Sequence, residues 1–210
     1  MLFSNINGVA LSDERFWPVY EAANDIGAVI YIHPEHPVNV SQMEEFWLMP
    51  LVGFLYDTTL AAASLTFNGV PERFPKIKWA LCHLGGTIPY LVERLDRGFH
   101  NFKDCRAKIA RPPSTYLTEF YYDTVNFNQG ALKLAIDFAG ADHILAGSDY
   151  PHQIGSIPLM LEAGDKLPVT AAQPDGGRRQ NAATPLGPDQ TVGRWPGAQG
   201  VASAGGFDLD

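Results

Sequence analysis

Three apolar segments of this 210-residue sequence each end in a side chain that can bind a metal ion or move a proton. The segment AVIYIHP ends in His33, IKWALCHLGG ends in His83, and ILAGSDYPH runs into Asp149 and His152. Apolar segments of this kind are typical of the buried strands of a parallel sheet, and ligands gather at the carboxyl ends of such strands. We therefore predict one shared site at these strand ends.

The chemistry of these side chains is that of a catalytic metal site. Imidazole nitrogen and carboxylate oxygen suit zinc, and also manganese or iron. His33 and Asp149 are candidate ligands of one ion. His83 is either a third ligand or a base that hydrogen-bonds a metal-bound water, and the second role needs a neutral imidazole. His152 either lines the mouth of the site or shapes the turn beside it.

Each of these residues also has a purely structural interpretation. A single histidine at a strand end is more often a hydrogen-bonded structural residue than a ligand, and Asp149 alone could cap a helix or form a turn. The joint occurrence at three strand ends favours the site. The remaining histidines are assigned structural or solvated positions, and three acidic residues are assigned to solvated faces: His36, His100, His143, Glu44, Glu45 and Asp57.

The elements that position the candidate site alternate along the chain. Helical spacing of apolar residues predicts helices within residues 16–26, 51–65, 88–95 and 131–139, and apolar runs predict strands at 28–32, 77–82, 119–125 and 143–146. Alternation of this kind predicts an α/β fold with a parallel sheet and right-handed crossovers. Four strands cannot close a barrel, so the chain is expected to form the second half of a β/α (TIM-like) barrel. An open doubly wound sheet is the alternative, and the residues before Ser12 are interpreted as a loop.

Composition narrows the class of protein. The length suits a single domain at residues 1–168, and the net charge of −8 without a basic cluster argues against nucleic acid and anionic membranes as partners. A small molecule is the expected ligand. Two cysteines suit a reducing compartment, so the cytoplasm is the expected location, and neither a signal peptide nor a membrane-spanning run is recognisable.

The end of the chain differs from the rest. Gly, Ala and Pro make up 19 of the 42 residues at 169–210, and the helical and strand periodicities stop there. Such a composition cannot offset its ordering entropy by burial, so we predict a mostly disordered tail.

Three stretches carry a resemblance to a known family. They are HP after an apolar strand, the block EEFWLMPLVGFLYDTTLAAASLTFNGVPERFPKIKWALCHLGGTIPYLVERLD, and ILAGSDYP. Over roughly residues 5–161 they resemble the amidohydrolase-related family of metal-dependent decarboxylases. The resemblance implies a distorted β/α barrel, a divalent metal held by His33 and Asp149, usually zinc with manganese as the alternative, and His83 in proton transfer. It also implies that Trp47 lies against the substrate; the alternative is a core aromatic under a long loop.

The sequence also departs from the family pattern. Members carry two further metal ligands in a His-x-His or Glu-x-His segment, and this sequence has no such segment before His33. A substrate-binding arginine of the family is replaced by Phe102, with Lys103 beside it, which implies a different substrate. The family's C-terminal helix is replaced by the Gly/Ala/Pro-rich tail.

The expected function follows from the site and the resemblance. It is that of a metal-dependent carboxy-lyase acting on a small carboxylated substrate, aromatic or unsaturated, in a homo-oligomer. A metal-dependent hydrolase uses the same residues differently, because a base can activate water instead of handling the proton that replaces CO₂. A truncated, inactive chain or a binding module is the alternative from a different class.

Overall fold

The computed structural model describes residues 1–166, with side chains to residue 163. The strands are β1 (Leu2–Phe3), β2 (Asn5–Ile6), β3 (Val9–Ala10), β4 (Val29–His33), β5 (Lys78–Leu81), β6 (Tyr121–Asp123) and β7 (Ile144–Leu145). The helices are α1 (Trp17–Asp25), α2 (Phe54–Phe67), α3 (Val70–Arg73), α4 (Ile88–Asn101), α5 (Ser114–Leu117), α6 (Gln129–Ala139) and α7 (Ile157–Lys166). One turn of π-helix, Met49–Gly53, leads into α2.

Five strands form one parallel sheet in the order β1-β4-β5-β6-β7. Each pair is parallel, so all carboxyl ends lie along one edge of the sheet. The remaining two strands, β2 and β3, form a short antiparallel hairpin after β1. Helices connect the successive strands of the sheet, which confirms the predicted α/β fold.

The two faces of the sheet differ in chemistry because successive side chains of a strand point to opposite faces. Apolar side chains on one face pack with the helices and form the main core: Ile30, Ile32, Trp79, Leu81, Tyr122 and Ile144. The ring of Trp79 meets Tyr20 of α1 edge-on, with centroids 5.4 Å apart. The opposite face carries Tyr31 and His33 of β4 and Asp123 of β6, so these polar residues share the face that a barrel would enclose.

The predicted parallel sheet of four strands was one strand short, and the hairpin of β2 and β3 was not predicted. Leu2–Phe3, interpreted from the sequence as part of a loop, is strand β1 and pairs in register with Ile32 and His33 of β4. A two-residue strand is too short for periodicity to reveal, and it forms because the longer β4 offers a free edge. Among the described residues, the sheet therefore ends at β1 on one side and β7 on the other.

The assignment of Asp57 to a solvated face was wrong. This side chain of α2 is 2% exposed, and its carboxylate accepts hydrogen bonds from Ser4 Oγ and from Asn5 Nδ2 at 2.9 Å. Asn5 Nδ2 also donates to the carbonyl oxygen of His36. Val38 N–H donates to Asp57 Oδ1 at 3.4 Å, so Asp57 joins the loop after β1 to the loop after β4. Glu44 and Glu45 are exposed as expected.

The predicted tail at 169–210 lies outside the described residues, so the division at residue 168 stays a prediction.

None of the helices in the described part of the chain is both long enough and apolar enough to cross a membrane.

Candidate metal and proton-transfer site

The structure brings the three predicted strand-end residues together at the carboxyl edge of the sheet. His33 is the last residue of β4, His83 follows β5, and Asp149 follows β7. The Nε2 atoms of His33 and His83 lie 4.0 and 3.9 Å from the same oxygen, Oδ1 of Asp149. The two imidazole rings are 5.3 Å apart between centroids.

His83 stands on a tight left-handed turn. Four consecutive residues, His83 to Gly86, have positive φ. A Cβ on Gly86 would lie 2.3 Å from the carbonyl oxygen of Leu55 and 2.5 Å from Thr59 Oγ1, so this position excludes any side chain. The glycines of the HLGG motif therefore let the chain reverse its direction against α2, so that His83 lies at the carboxyl end of β5.

Asp149 is held by a loop that closes on itself. Its carbonyl oxygen accepts a hydrogen bond from the His152 N–H at 2.9 Å, and Ser156 N–H donates to the carbonyl oxygen of Ser148 at 2.7 Å. The loop brings His152 to the site, where its ring stacks 6.4 Å from that of His33, with 15° between the planes. The predicted position of His152 beside the site therefore agrees with the geometry, and its role stays a prediction.

Burial decides the charge of His83. Its side chain is 7% exposed, and desolvation lowers the pKa of its imidazole below the ordinary value of 6.5. The carboxylates of Asp123 and Asp149 oppose this shift and do not reverse it. His83 is thus neutral at pH 7, which is the state that a base or a metal ligand needs.

Sequence reasoning missed two neighbours of the histidines. Phe54, the first residue of α2, lies against both rings, at 6.5 Å from His33 and 6.2 Å from His83 between centroids. Asp123, the last residue of β6, is 2% exposed and accepts a hydrogen bond from the Leu84 N–H at 3.0 Å. A signal for Asp123 was present, because the segment FYYD at residues 120–123 is also an aromatic, apolar run that ends in an acid.

Cys82 also lies beside the histidines. Its Sγ is 3.0 Å from Nδ1 of His83, and His33, Cys82 and His83 offer ligand atoms within 4.8 Å of one another. Metals bind the thiolate, however, and burial raises the pKa of this thiol, assisted by the charge of Asp123. Without an ion, Cys82 is therefore a neutral thiol packed against His83.

The remaining residues fit a divalent ion. Zinc holds nitrogen and oxygen ligands at 2.0–2.2 Å, so two ligands of one ion can be at most about 4.2 Å apart. The separations of 4.0 and 3.9 Å between the imidazole nitrogens and Asp149 Oδ1 fall within this span. His33 and Asp149 are therefore close enough to share one ion, and His83 lies beside them.

Trp47 is not a core residue. Its side chain is 73% exposed, and that of its neighbour Phe46 is 78% exposed. The alternative of a core aromatic under a loop is therefore wrong, while contact with a substrate stays a prediction. Of the other histidines, His143 is structural, since its Nδ1 pairs with the carbonyl oxygen of Phe120 and its ring stacks on Tyr121. His36 and His100 are exposed.

Comparison with proteins of known sequence identifies relatives. The 2-amino-3-carboxymuconate-6-semialdehyde decarboxylase of Dictyostelium discoideum is 34% identical over 156 residues, which cover 73% of this chain and 43% of the relative. The 6-methylsalicylic acid decarboxylase of Penicillium expansum is 32% identical over 173 residues, covering 80% and 53%. The chain thus spans about half the length of the curated relatives it matches.

Solved structures share the fold. The 5-carboxyvanillate decarboxylase of Sphingomonas paucimobilis superposes with a TM-score of 0.78 at 24% identity, over 88% of this chain and 57% of that one. A dihydroxybenzoic acid decarboxylase from Polaromonas sp. JS666, solved with bound manganese and the inhibitor 2-nitroresorcinol, gives a TM-score of 0.74 at 24% identity, over 85% and 55%. The predicted partial β/α barrel is therefore confirmed, and the alternative of an open doubly wound sheet is not.

A family model provides the broadest match. The amidohydrolase model covers residues 2–186, which is most of the sequence and includes all the candidate site residues. The strand-end histidines and the aspartate that the geometry brings together thus lie inside the matched region, and the chain belongs to the amidohydrolase family.

Proposed function

We propose that the protein containing this chain is a metal-dependent carboxy-lyase that removes CO₂ from a small aromatic or unsaturated carboxylate. The observation that carries the proposal is that His33 Nε2 and His83 Nε2 each lie within 4.0 Å of Asp149 Oδ1 at the carboxyl edge of the sheet. The names of the relatives support the reaction type, because both of those described above are decarboxylases.

In this proposal His33 and Asp149 hold the ion and His83 handles the proton. A bound divalent ion supplies Lewis acidity that fixes and polarises the carboxylate or a neighbouring hydroxyl of the substrate. Zinc is the first choice because imidazole and carboxylate are ligands that it commonly binds. Manganese is the alternative because it is the ion bound in the dihydroxybenzoic acid decarboxylase. His33 and Asp149 would be the residues that hold this ion.

The proton balance assigns a role to His83. The bond between the substrate carbon and its carboxylate breaks, CO₂ leaves, and the electron pair stays on the carbon, which must then take one proton. His83, neutral at the outset, takes a proton from a water molecule at Nε2 and delivers it to that carbon, and the hydroxide that remains combines with the released CO₂ as bicarbonate. The rings of Phe54 and His152 lie beside the two histidines and are proposed to border the substrate.

Two further proposals concern the surroundings of the site. Trp47 is proposed to contact the substrate from its exposed loop position. Trp47→Ala should then raise KM with little effect on kcat, whereas Phe46→Ala, on the neighbouring exposed ring, should change neither. Equal effects of the two variants would argue against a specific role for Trp47.

A homo-oligomer in the cytoplasm is also proposed. The apolar side chains of Val52, Tyr56 and Leu60 recur every four residues and are 45–54% exposed, which supports association through this stripe. Two free cysteines support a reducing compartment. Light scattering of the wild type and of Tyr56→Glu measures the first point, and cell fractionation measures the second.

The reaction is tested by following the carbon atom of the substrate's carboxylate. The whole protein, loaded with zinc or with manganese, is incubated with 6-methylsalicylate and with other small carboxylated phenols labelled at the carboxylate. Release of labelled CO₂ is expected with the wild type and not with His83→Gln. If metal-loaded protein releases no CO₂ from any of these substrates but cleaves an amide or ester analogue, the site is that of a hydrolase.

A further inference from the structure

The buried carboxylate of Asp123 is the centre of a hydrogen-bond network beneath the site. Its Oδ1 accepts hydrogen bonds from the backbone N–H groups of Leu84 at 3.0 Å and Val125 at 2.9 Å. Its Oδ2 accepts one from the Tyr31 hydroxyl at 2.6 Å. The two oxygens thus accept three hydrogen bonds, which oppose the rise in the pKa of this carboxyl that burial causes without cancelling it.

The bond from Leu84 is the important one, because of the backbone that it fixes. His83 and Leu84 have φ values of 51° and 55°, in the left-handed region that residues with a Cβ rarely adopt. Such a strained backbone persists only where its surroundings hold it. The Leu84 N–H is buried under the turn, so without Asp123 it would lose its partner in addition to the strain.

Asp123 also adjoins the segment that leads to Asp149. Gly147 approaches so closely that an added Cβ would lie 2.9 Å from the Asp123 Cβ. The neighbouring Thr124 Oγ1 donates to the Gly147 carbonyl oxygen and accepts from its N–H, both at 3.1 Å. The end of β6 is therefore in contact with both chain segments that carry the histidine and the aspartate.

We propose that Asp123 is a positioning residue, which holds the left-handed turn at His83–Leu84 and so directs His83 Nε2 towards Asp149 and His33. It contacts the backbone that carries His83 and needs no contact with a substrate. Its effect on catalysis rests on the proposed function, whereas its effect on the orientation of His83 does not.

The test compares variants that keep or remove the acceptor. Asp123→Asn retains Oδ1 for Leu84 and Val125, and its Nδ2 can donate to the Tyr31 hydroxyl oxygen, so it keeps the network without the charge. Asp123→Ala and the space-filling Asp123→Leu remove the acceptor. Tyr31→Phe is the matched control, because it removes the donor to Oδ2 and leaves the bond to Leu84 intact.

The first readout is NMR of the protein below its unfolding temperature. The wild type, Asp123→Asn and Tyr31→Phe should show a nuclear Overhauser effect between the His33 and His83 rings, whose centroids are 5.3 Å apart. Asp123→Ala and Asp123→Leu should lose it, and their Leu84 amide should exchange with solvent at least about ten-fold faster. A merely destabilising substitution would lower the melting temperature without moving these rings relative to each other.

The second readout is the split between kcat and KM in the whole, metal-loaded protein. Loss of the acceptor should lower kcat by roughly 100-fold with KM nearly unchanged, and Asp123→Asn should recover most of this loss. Retention of the ring-to-ring signal in Asp123→Leu, or its loss in Asp123→Asn, overturns the inference. If no variant, including wild type, releases CO₂, the proposed reaction fails while the NMR comparison still decides the role of Asp123.

Discussion

At the scale of single residues, His83 combines burial with proximity to two charged groups. Desolvation lowers the pKa of its imidazole, so the neutral form persists to lower pH than for an ordinary histidine. If catalysis starts from neutral His83, activity falls as pH drops through this lowered pKa, and the acid limb of the kcat profile should lie below pH 6.5.

His83→Gln should remove that limb and lower kcat by about 10²–10⁴-fold, because general acid–base catalysis contributes about that much. The pH dependence of kcat measures both effects. His100→Gln, at an exposed histidine of α4, is the control and should leave the profile unchanged. An acid limb that stays in place in His83→Gln would assign it to another group.

A second prediction at this scale concerns the ion. His33→Ala and Asp149→Asn should each weaken metal binding by at least about 100-fold, since substitutions outside the ligand shell already cost 10–100-fold. Competition with a chromophoric chelator measures the affinity for zinc and manganese. His36→Ala removes an exposed histidine three residues from His33 and should have no effect. Unchanged affinity in both ligand variants would refute the assignment of His33 and Asp149.

At the scale of elements, the turn after β5 depends on two different properties of glycine. Gly86 and Gly8 both have positive φ, at 62° and 76°, so alanine strains the backbone at either position. At Gly86 an added Cβ also meets Leu55 and Thr59 of α2, whereas at Gly8 it meets nothing within 4 Å. Gly8→Ala should therefore cost about 1 kcal/mol in the free energy of unfolding, and Gly86→Ala at least about 3 kcal/mol. Urea unfolding measures both, and equal losses would show that contact with α2 contributes nothing.

At the scale of the whole molecule, the sheet has edge strands on both sides of the described region. Exposed strand edges pair readily with other chains, and His33 and Asp149 alone are fewer ligands than the three protein ligands common in catalytic zinc sites. We therefore expect the 210-residue chain by itself to associate, to bind metal weakly and to turn over no substrate. Light scattering and metal analysis of the purified chain measure this. A monomer with one tightly held zinc ion would contradict the expectation.

The sequence by itself determined the alternation of helices and strands and the strand-end positions of His33, His83 and Asp149. These follow from local rules, since apolar runs, chain breakers and helical spacing act over a few neighbouring residues. The same locality explains the misses. Leu2–Phe3 is too short to show a period, and it becomes a strand only by pairing with β4.

The tertiary structure alone decided which acids are buried and why. Asp123 receives hydrogen bonds from Tyr31, 92 positions away, and from Leu84, 39 positions away. Asp57 is enclosed by Ser4 and Asn5, more than 50 positions away. A carboxylate leaves water when distant donors replace its hydration, and which donors reach it depends on the path of the whole chain. The composition of each segment does not reveal that path. The hydrogen-bond network of Asp123 beneath His83 can therefore be recognised only in the folded protein.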